Sequence, residues 1–514
     1  MSKFKKKIVF LFSLIIFLLL ILITLGWYDV KKGSSVKILS RIPIQLIIPD
    51  KIRNFLKSTI FYIPNLQNLY NEQNKNLEKL GNKFSNIERH SNELWSIVSS
   101  KDFKAINSYF INKRAIKTNE NIYTISNFSL PFPNIKTSKR KPVGYLETYN
   151  DLILLASGNG TFFSIDRSLI AKFIKNDNEK LENTFSFDKH GDAIYNSKTK
   201  TLVLNKIKTN FINLTDDESL LDPGKSSIRD LLIIKEQIFV SYTKKISKNC
   251  YNTSILNSDL NFSYLNFSEF FSYEECHLTN DFDNAGSGGR MVSYKNNKIL
   301  LTIGVAKQVV TNKKSAQDKK SFFGKIISID LTTKDYELIS MGHRNAQGLY
   351  YNNKEDLIVS TEHGPRGGDE INVNKNPDTS KIENYGWPIS SYGEHYDKTA
   401  KPALLQSHKD YGFEEPIKYY KPAIGISQII KIPSDFNKKF TNDFFVGAMG
   451  NLSYEGDLSI HHIRFDKDFN NIIFEEIIPL GERVRDMIYV KEEKIVLIVL
   501  ENTPSIGVLK ISDH

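Results

Sequence analysis

The stretch Arg344-Asn345-Ala346-Gln347-Gly348-Leu349 sets an arginine just ahead of an apolar run, and weaker versions of this phrase recur along the chain. They are Arg229-Asp230-Leu231-Leu232, Arg290-Met291-Val292 and Arg485-Asp486-Met487-Ile488. The intervals from 229 to 290 and from 290 to 344 span 61 and 54 residues, long enough for one four-stranded blade with its loops. The repeat therefore favours blades arranged around a central axis.

The sequence after about Asn121 has the composition of short strands. β-branched and aromatic runs such as Leu152–Ala156 and Ile495–Leu500 alternate with turns rich in Asn, Asp, Gly and Lys, and no helical periodicity is evident after Ser100. At the repeat spacing, about 390 residues would hold six or seven blades. A pair of β-sandwiches is the alternative, but a recurring arginine before an inner strand favours side chains that converge on one channel. We therefore predict an all-β propeller.

The N-terminus has the pattern of a membrane anchor. Lys3 and Lys5–Lys7 precede the apolar run Ile8–Trp27, which at about 1.5 Å per helical residue matches the hydrocarbon core of a bilayer. A basic flank ahead of the span places the N-terminus in the cytoplasm and exports the rest of the chain. We expect a single-pass inner-membrane protein with its propeller in the periplasm. A cleaved signal peptide is the competing interpretation.

The segment between the anchor and the β region has a helical spacing of apolar residues. Tyr70, Leu77, Leu80 and Phe84 follow one another at seven-, three- and four-residue steps. This spacing predicts a helical stalk, either packed on the next domain or forming a coiled coil. We therefore divide the chain into a cytoplasmic tail and transmembrane anchor (1–27), a helical stalk (28–119) and the propeller (120–514).

Charge and cysteine content narrow the function classes further. The formal net charge is +11, but no cluster of Lys and Arg interleaved with aromatic residues is present, so nucleic-acid binding is not expected. The two cysteines, Cys250 and Cys276, lie on the predicted exported side, where thiols tend to oxidise. We expect them to form a disulfide, with two buried free thiols as the alternative.

The densest polar segment of the chain runs from residue 342 to residue 388. Gly364, Pro365 and the pair Gly367-Gly368 force a tight loop after a strand, which exposes main-chain carbonyls. Asp369 and Glu370 follow at once and provide hard oxygen ligands of the kind that calcium prefers. Arg344 and Arg366 could hold an anion. A structural turn cluster with solvated charges is the alternative.

Three ordered stretches of this segment carry a specific resemblance. They are Gly342-His343-Arg344-Asn345-Ala346-Gln347-Gly348-Leu349, Glu362-His363-Gly364-Pro365-Arg366-Gly367-Gly368-Asp369-Glu370-Ile371-Asn372 and Asn384-Tyr385-Gly386-Trp387-Pro388. They resemble the signature of the soluble glucose dehydrogenases and aldose sugar dehydrogenases that use pyrroloquinoline quinone (PQQ). With weaker matches around Arg229, Arg290 and Arg485, the likeness covers roughly residues 120–512.

The resemblance implies a six-bladed propeller with PQQ across the axial mouth and an aldose oxidised at C1. It implies cofactor contacts from Arg344, Asn345, Gln347, Arg483 and Arg485. It also implies that the carbonyls of Gly364 and Pro365 hold a Ca²⁺ ion that polarises the quinone. A second, structural calcium would lie near Asp369, Glu370 and Tyr385.

The sequence departs from this family where proton chemistry is expected. The family has a catalytic His shortly before the Gly-Gly-Arg step, whereas this chain has Asn284-Ala285-Gly286-Ser287. The Asp that partners this His is replaced by Val305. The catalytic residues are therefore unknown, although His277, His343 and His363 are possible substitutes. We expect scaffold roles for His343 and His363.

Two functions follow from these observations. The first is a PQQ-dependent dehydrogenase acting on a sugar or aldehyde and passing electrons to an acceptor that the sequence does not identify. The second is a non-catalytic calcium-binding propeller that recognises a glycan or a protein. The retained arginines favour the first function, and the missing His and Asp favour the second.

Overall fold

The computed structural model describes residues 103–131, 143–175, 185–187, 193–195, 201–215, 228–248, 250–278, 286–306, 315–396, 403–450 and 457–511. All of them lie in the unit Phe84–His514. The predicted anchor Ile8–Trp27 and residues 28–102 of the predicted stalk are outside the described residues. No helix in the described ranges has the length and apolar character needed to cross a membrane.

Strands account for most of the described residues, because their β-branched and aromatic side chains pack well on pleated surfaces. The strands of the first half are β1 (Ala105–Lys117), β2 (Ile122–Ser129), β3 (Gly144–Tyr149), β4 (Leu152–Ser157), β5 (Phe162–Asp166), β6 (Phe185–Phe187), β7 (Ala193–Tyr195), β8 (Thr201–Thr209), β9 (Ile228–Ile234), β10 (Gln237–Ser247), β11 (Cys250–Asp259), β12 (Tyr264–Leu265), β13 (Ser268–Phe271) and β14 (His277–Leu278). Those of the second half are β15 (Gly288–Tyr294), β16 (Lys298–Ile303), β17 (Lys325–Asp330), β18 (Tyr336–Met341), β19 (Ala346–Asn352), β20 (Leu357–Glu362), β21 (Asp369–Lys375), β22 (Glu383–Asn384), β23 (Lys418–Tyr420), β24 (Ile426–Ile432), β25 (Asp443–Ala448), β26 (Ser459–Phe465), β27 (Ile472–Pro479), β28 (Val484–Val490), β29 (Ile495–Leu500) and β30 (Ser505–Ile511).

The described helices are short. They are α1 (Arg167–Lys175), α2 (Phe211–Leu214) and the 3₁₀ turns Ser315–Gln317 and Lys409–Tyr411. We expected no helix after Ser100, and α1 corrects that expectation. Ile170 and Phe173 are buried at i and i+3 on this helix, a spacing that is too brief in nine residues to stand out from its surroundings.

Most sheets are antiparallel meanders whose strands follow chain order. Such meanders are β9–β10–β11–β13, β15–β16–β17–β18, β19–β20–β21–β23 and β24–β25–β26–β27. One larger sheet has the order β28–β29–β30–β2–β1–β8–β5–β4–β3. In it, β2 pairs with β30, and β1 pairs with both β2 and β8. The N-terminal hairpin thus joins the last meander of the chain to the first.

The first strands of the successive meanders form a closed ring. β3 contacts β9, β9 contacts β15, and the order continues through β19 and β24 to β28, which contacts β3. The meanders pack face to face, as where Leu155, Phe163 and Leu497 are fully buried together. The prediction of an all-β, propeller-like fold is confirmed, and the pair of β-sandwiches is excluded. The all-β region begins earlier than the boundary we predicted at residue 120, since β1 starts at Ala105.

Candidate functional site

Arg290 lies where the inner strands converge. One terminal nitrogen of its guanidinium donates to Asp230 Oδ1 at 2.9 Å and to Asp486 Oδ1 at 2.7 Å, and its Nε donates to the carbonyl of Gln347 at 3.0 Å. The guanidinium also lies over the ring of Tyr145. One buried side chain therefore connects β3, β9, β19 and β28 to its own strand β15.

The two carboxylates beside Arg290 are held by main-chain donors as well. Asp230 Oδ2 accepts from the Met291 N–H at 2.7 Å, and Asp486 Oδ2 accepts from the Leu146 N–H at 2.8 Å. Burial raises the pKa of Asp230 to about 7, although Arg290 opposes the shift. Asp230 and Asp486, each from one copy of the repeated phrase, thus bind Arg290 where the inner strands converge.

The positive charges of three predicted cofactor arginines act on a single histidine, His363. Its pKa is lowered to about 3, first by burial and then by the positive charges of Arg344, Arg485 and Arg483. These arginines come from the segment before β19 and from the start of β28. The fold therefore brings together residues that are well over a hundred positions apart in the chain.

Four of the five predicted cofactor residues form one hydrogen-bonded network. Arg483 Nε pairs with Glu501 Oε2 at 2.8 Å, and Arg485 Nε pairs with the other oxygen of the same carboxylate. Arg485 also donates to Gln347 Oε1 at 3.3 Å, and Gln347 donates to Asn345 Oδ1 at 3.0 Å. Sequence reasoning did not identify Glu501.

Arg344 differs from Arg483 and Arg485, which both pair with Glu501. Its side chain forms no ion pair within the part of the chain that the structure describes, and its Nε has no hydrogen-bond partner there. It donates to the carbonyl of His363 at 3.1 Å and lies over the rings of Trp387 and Tyr396 at 5.5 and 5.9 Å. Only 7% of the residue is exposed. A buried guanidinium without an ion pair can accept an anionic partner, so this position suits an anionic ligand.

The main chain of Arg344 is held from both sides. Its N–H donates to Glu362 Oε1 at 2.5 Å, and its carbonyl accepts from the Val305 N–H at 2.9 Å. The other Glu362 oxygen lies 2.7 Å from His343 Nδ1, and Ser340 Oγ lies 2.7 Å from His343 Nε2. His343 therefore has a scaffold role, since both of its ring nitrogens are engaged.

The predicted calcium loop is compact. A Cβ added to Gly364 would lie 2.1 Å from the carbonyl oxygen of Gly368 and 2.4 Å from that of Gly367, so only glycine fits there. Asp369 accepts from the N–H groups of Gly364 and Ile426, each at 3.0 Å. Burial raises the pKa of Asp369 to about 6. This carboxylate braces the loop through main-chain contacts.

The remaining predicted metal ligands have side-chain partners of their own. Glu370 Oε1 lies 3.1 Å from His408 Nε2, and burial raises the pKa of Glu370. Tyr385 donates to Glu383 at 2.8 Å and stacks on His343. Across the described ranges, no three or more His, Cys, Asp and Glu side chains are grouped to hold a metal ion. A calcium ion here would depend on main-chain carbonyls, such as those predicted for Gly364 and Pro365.

The two positions where the family's base and its partner are expected lie side by side. The carbonyl of Gly286 accepts from the N–H of Ala306 at 2.9 Å, and Val305 precedes that residue. The Val305 side chain packs against the buried apolar cluster of Ala316, Trp387 and Leu404. An apolar contact therefore stands where the family has its carboxylate.

The remaining residues predicted from the sequence make contacts outside the arginine network. Cys250 and Cys276 form a disulfide with their Cα atoms 5.5 Å apart. His277 packs against the ring of Phe323. Arg366 is exposed and its main chain pairs with Glu394, so it does not join Arg344 as the sequence suggested.

Known proteins with similar sequences define the class of this chain. The profile of the family described as Glucose / Sorbosone dehydrogenase matches residues 234–506, which is more than half of the chain. The chain belongs to this family, and the predicted membership is confirmed. Similar folds extend the comparison: a glucose dehydrogenase crystal structure has a TM-score of 0.52 at 16% identity, covering 78% of this chain and 100% of that chain.

Two curated relatives match part of the sequence. An uncharacterized protein of Synechocystis sp. is 34% identical over 188 residues, which are 34% of this chain and 42% of that protein. The aldose sugar dehydrogenase YliI of Escherichia coli is 28% identical over 215 residues, which are 39% of this chain and 53% of that protein. The chain thus spans about half the length of the curated relatives it matches.

Proposed function

We propose that this protein is a PQQ-dependent dehydrogenase that oxidises a sugar or an aldehyde. The observation that carries the proposal is the convergence of Arg344, Arg483 and Arg485 on one site, with Arg344 lacking a carboxylate partner among the described residues. Membership of the Glucose / Sorbosone dehydrogenase family and similarity to an aldose sugar dehydrogenase support it.

The charge at the mouth fits the cofactor. Glu501 is the one carboxylate that pairs with Arg483 and Arg485, and His363 stays neutral at its lowered pKa. PQQ is a tricarboxylate, so one of its carboxylates would provide the ion-pair partner that the Arg344 side chain lacks among the described residues. When bound, it supplies a quinone that accepts two electrons.

Each retained residue has a defined task in this proposal. Arg344, Arg483 and Arg485 would bind cofactor carboxylates. Asn345 and Gln347, already joined by a hydrogen bond, would orient the quinone. The carbonyls of the Gly364 loop would hold Ca²⁺, which is a hard cation that prefers oxygen ligands.

Proton removal is the weak part of the proposed chemistry. Gly286 and Val305 offer no titratable group, and both ring nitrogens of His343 are already engaged by Glu362 and Ser340. General-base catalysis contributes roughly 10² to 10⁴-fold, so we expect slow turnover of aldoses. His363 is a poor base because burial, together with the nearby arginines, lowers its pKa to about 3.

We also propose that Ile8–Trp27 is an uncleaved inner-membrane anchor, with the N-terminus in the cytoplasm and the propeller in the periplasm. The basic flank supports this orientation. We further propose that the propeller has six blades, because each of β3, β9, β15, β19, β24 and β28 starts one meander around the ring.

A non-catalytic calcium-binding propeller that recognises a glycan or a protein is the second candidate. The packing of Val305 against the apolar cluster around Trp387 favours it, because an apolar surface lies where the carboxylate of the family's proton-transfer pair is expected. Such a protein would keep the scaffold without oxidising a substrate.

Binding of PQQ distinguishes the two candidates. The full-length protein is titrated with PQQ in the presence of Ca²⁺, and binding is followed by cofactor absorbance. Arg344→Ala should weaken binding by about 1.5–3 kcal/mol, since it removes a charge-assisted contact. That loss corresponds to roughly 10- to 150-fold in Kd. Arg366→Ala makes the same change at an exposed arginine and should have little effect. No PQQ binding by the wild type would favour the second candidate.

A further inference from the structure

We propose that Glu362 and His343 are positioning residues that hold Arg344 in the conformation that receives the anionic cofactor. The inference rests on the proposed PQQ site and names the part of the chain that pre-organises it. It joins two stretches that the sequence presents separately, one containing His343 and Arg344 and the other beginning at Glu362.

The conformation of Arg344 is not determined by strand pairing. β19 begins at Ala346, so Arg344 lies on an irregular segment ahead of the strand. The contacts of its main chain are the N–H bond to Glu362 at the end of β20 and the carbonyl bond from Val305. These two hydrogen bonds fix the backbone of Arg344 and therefore set the direction of its side chain.

Glu362 is itself fixed through His343. A carboxylate with one free oxygen could rotate away from Arg344, but its second oxygen is engaged by His343 Nδ1 at 2.7 Å. Ser340 engages the other ring nitrogen, and Tyr385 stacks on the imidazole at 4.8 Å between centroids. The side chains of His343 and Glu362 are 1% and 5% exposed, so water does not compete for these bonds. The series of hydrogen bonds from Ser340 through His343 and Glu362 to the Arg344 main chain is therefore held in one conformation.

This arrangement presents the Arg344 guanidinium before the ligand arrives. Its Nη1 bond to the His363 carbonyl and its position over Trp387 leave Nε without a partner among the described residues. A pre-organised donor loses little entropy on binding, whereas a mobile one must be ordered first. Removing the Glu362 oxygen should therefore weaken PQQ binding without removing any cofactor contact.

A second buried histidine provides a matched control. His462 Nε2 lies 2.7 Å from Asp443 and its Nδ1 lies 3.2 Å from Glu476, so it too is held between carboxylates. Its partners belong to β2, β25 and β27, and none of its hydrogen bonds or ion pairs within the described residues reaches Arg344. His462→Gln should lower the melting temperature and leave PQQ affinity within about threefold of the wild type.

The test measures the Kd for PQQ in the full-length protein with saturating Ca²⁺. Glu362→Ala should weaken binding roughly 10- to 100-fold, the range typical when an outer-sphere hydrogen-bond partner is removed. Glu362→Gln keeps an oxygen for the Arg344 N–H and should restore most of the affinity. If Glu362→Ala does not fold, Glu362→Asp withdraws the oxygens by one methylene, keeps the charge and should show the same loss.

The decisive comparison repeats the Glu362 change in an Arg344→Ala background. If Glu362 acts through Arg344, the second substitution should add nothing to the loss caused by the first. Equal effects in both backgrounds, or no effect of Glu362→Ala in the wild type, would overturn the inference while leaving PQQ binding intact. A wild type that binds no PQQ would instead overturn the proposed function.

Discussion

Replacing Arg290 should show how much the buried ionic cluster of Arg290, Asp230 and Asp486 contributes to stability. Methionine at this position keeps much of the side-chain length but removes the positive charge. Arg290→Met would leave Asp230 and Asp486 buried beside each other without the cation that both of them contact. Their side chains are 5% and 1% exposed, so water cannot replace the lost partner.

The expected loss follows from the burial of this group. Removing one member of a buried ionic cluster costs about 3–5 kcal/mol, because the remaining charge is uncompensated. Unfolding entropy is about 2.1 cal/mol/K per residue, or about 0.8 kcal/mol/K for roughly 400 residues. Dividing the first quantity by the second predicts a fall in Tm of about 4–6 °C.

The loss should also depend on pH. Burial raises the folded-state pKa of Asp230 to about 7, above its unfolded value, so its contribution to stability is full at low pH and is lost as pH rises through 7. Without Arg290, the charge that opposes this shift disappears. The Tm deficit of Arg290→Met should therefore be larger at pH 8 than at pH 5, where a protonated Asp230 can donate a hydrogen bond to Asp486.

Thermal unfolding of the full-length protein, followed by tryptophan fluorescence at both pH values, measures this effect. The triple variant Arg290→Met/Asp230→Asn/Asp486→Asn is the control, since it removes the whole ionic cluster and should recover much of the stability. A deficit below about 1 °C, or one that is the same at pH 5 and pH 8, would refute the reasoning.

Four other outcomes are expected. Replacing Cys250 and Cys276 by serine opens a loop with a sequence separation of 26, and should cost about 3.5 kcal/mol in a denaturant titration if the chain-entropy account holds; an unchanged midpoint would argue against it. Chelation of Ca²⁺ should lower Tm because a ligand bound to the native state stabilises it, and Asp369→Ala should abolish that response by releasing the Gly364 loop; a response that survives would place the ion elsewhere. With PQQ bound, Gly286→His together with Val305→Asp should accelerate aldose oxidation more than the two single changes combined, since a base needs its orienting carboxylate; additive rates would indicate another base. The protein should stay in the membrane fraction through an alkaline carbonate wash, whereas release of a product about 3 kDa smaller, judged from the length of a membrane span, would mean that the N-terminal segment is cleaved.

The repeated arginine phrase was sufficient to predict the fold because each copy marks an inner strand. Its prediction that side chains converge is met by Arg290, which binds the Asp residues of two other copies, Asp230 and Asp486. The phrase could not indicate which arginines bind the carboxylates at the centre of the ring and which lie at the proposed cofactor site. That distinction depends on where each strand begins relative to its arginine, and a pattern locates strand ends poorly.

The partners of the site arginines were not predictable for a related reason. Glu501 lies on the turn after β29, and Glu362 is the last residue of a strand whose first three residues are apolar. Their roles follow from tertiary pairing rather than from local pattern. A carboxylate at the end of a strand that begins with an apolar run was the available signal for Glu362. The anchor and most of the stalk lie outside the described residues and stay predictions.

The pairing of β2 with β30 has a consequence for how the chain is made. As synthesis proceeds, β2 is formed early, and its partner emerges only after all of the intervening meanders. Closure over so long a separation is slow, and an unpaired strand edge can recruit another chain. Nascent molecules are therefore exposed to self-association until the final strand docks. A premature stop before Ser505 would release a polypeptide that lacks β30. Its β2 edge would stay unpaired and prone to pair with other chains.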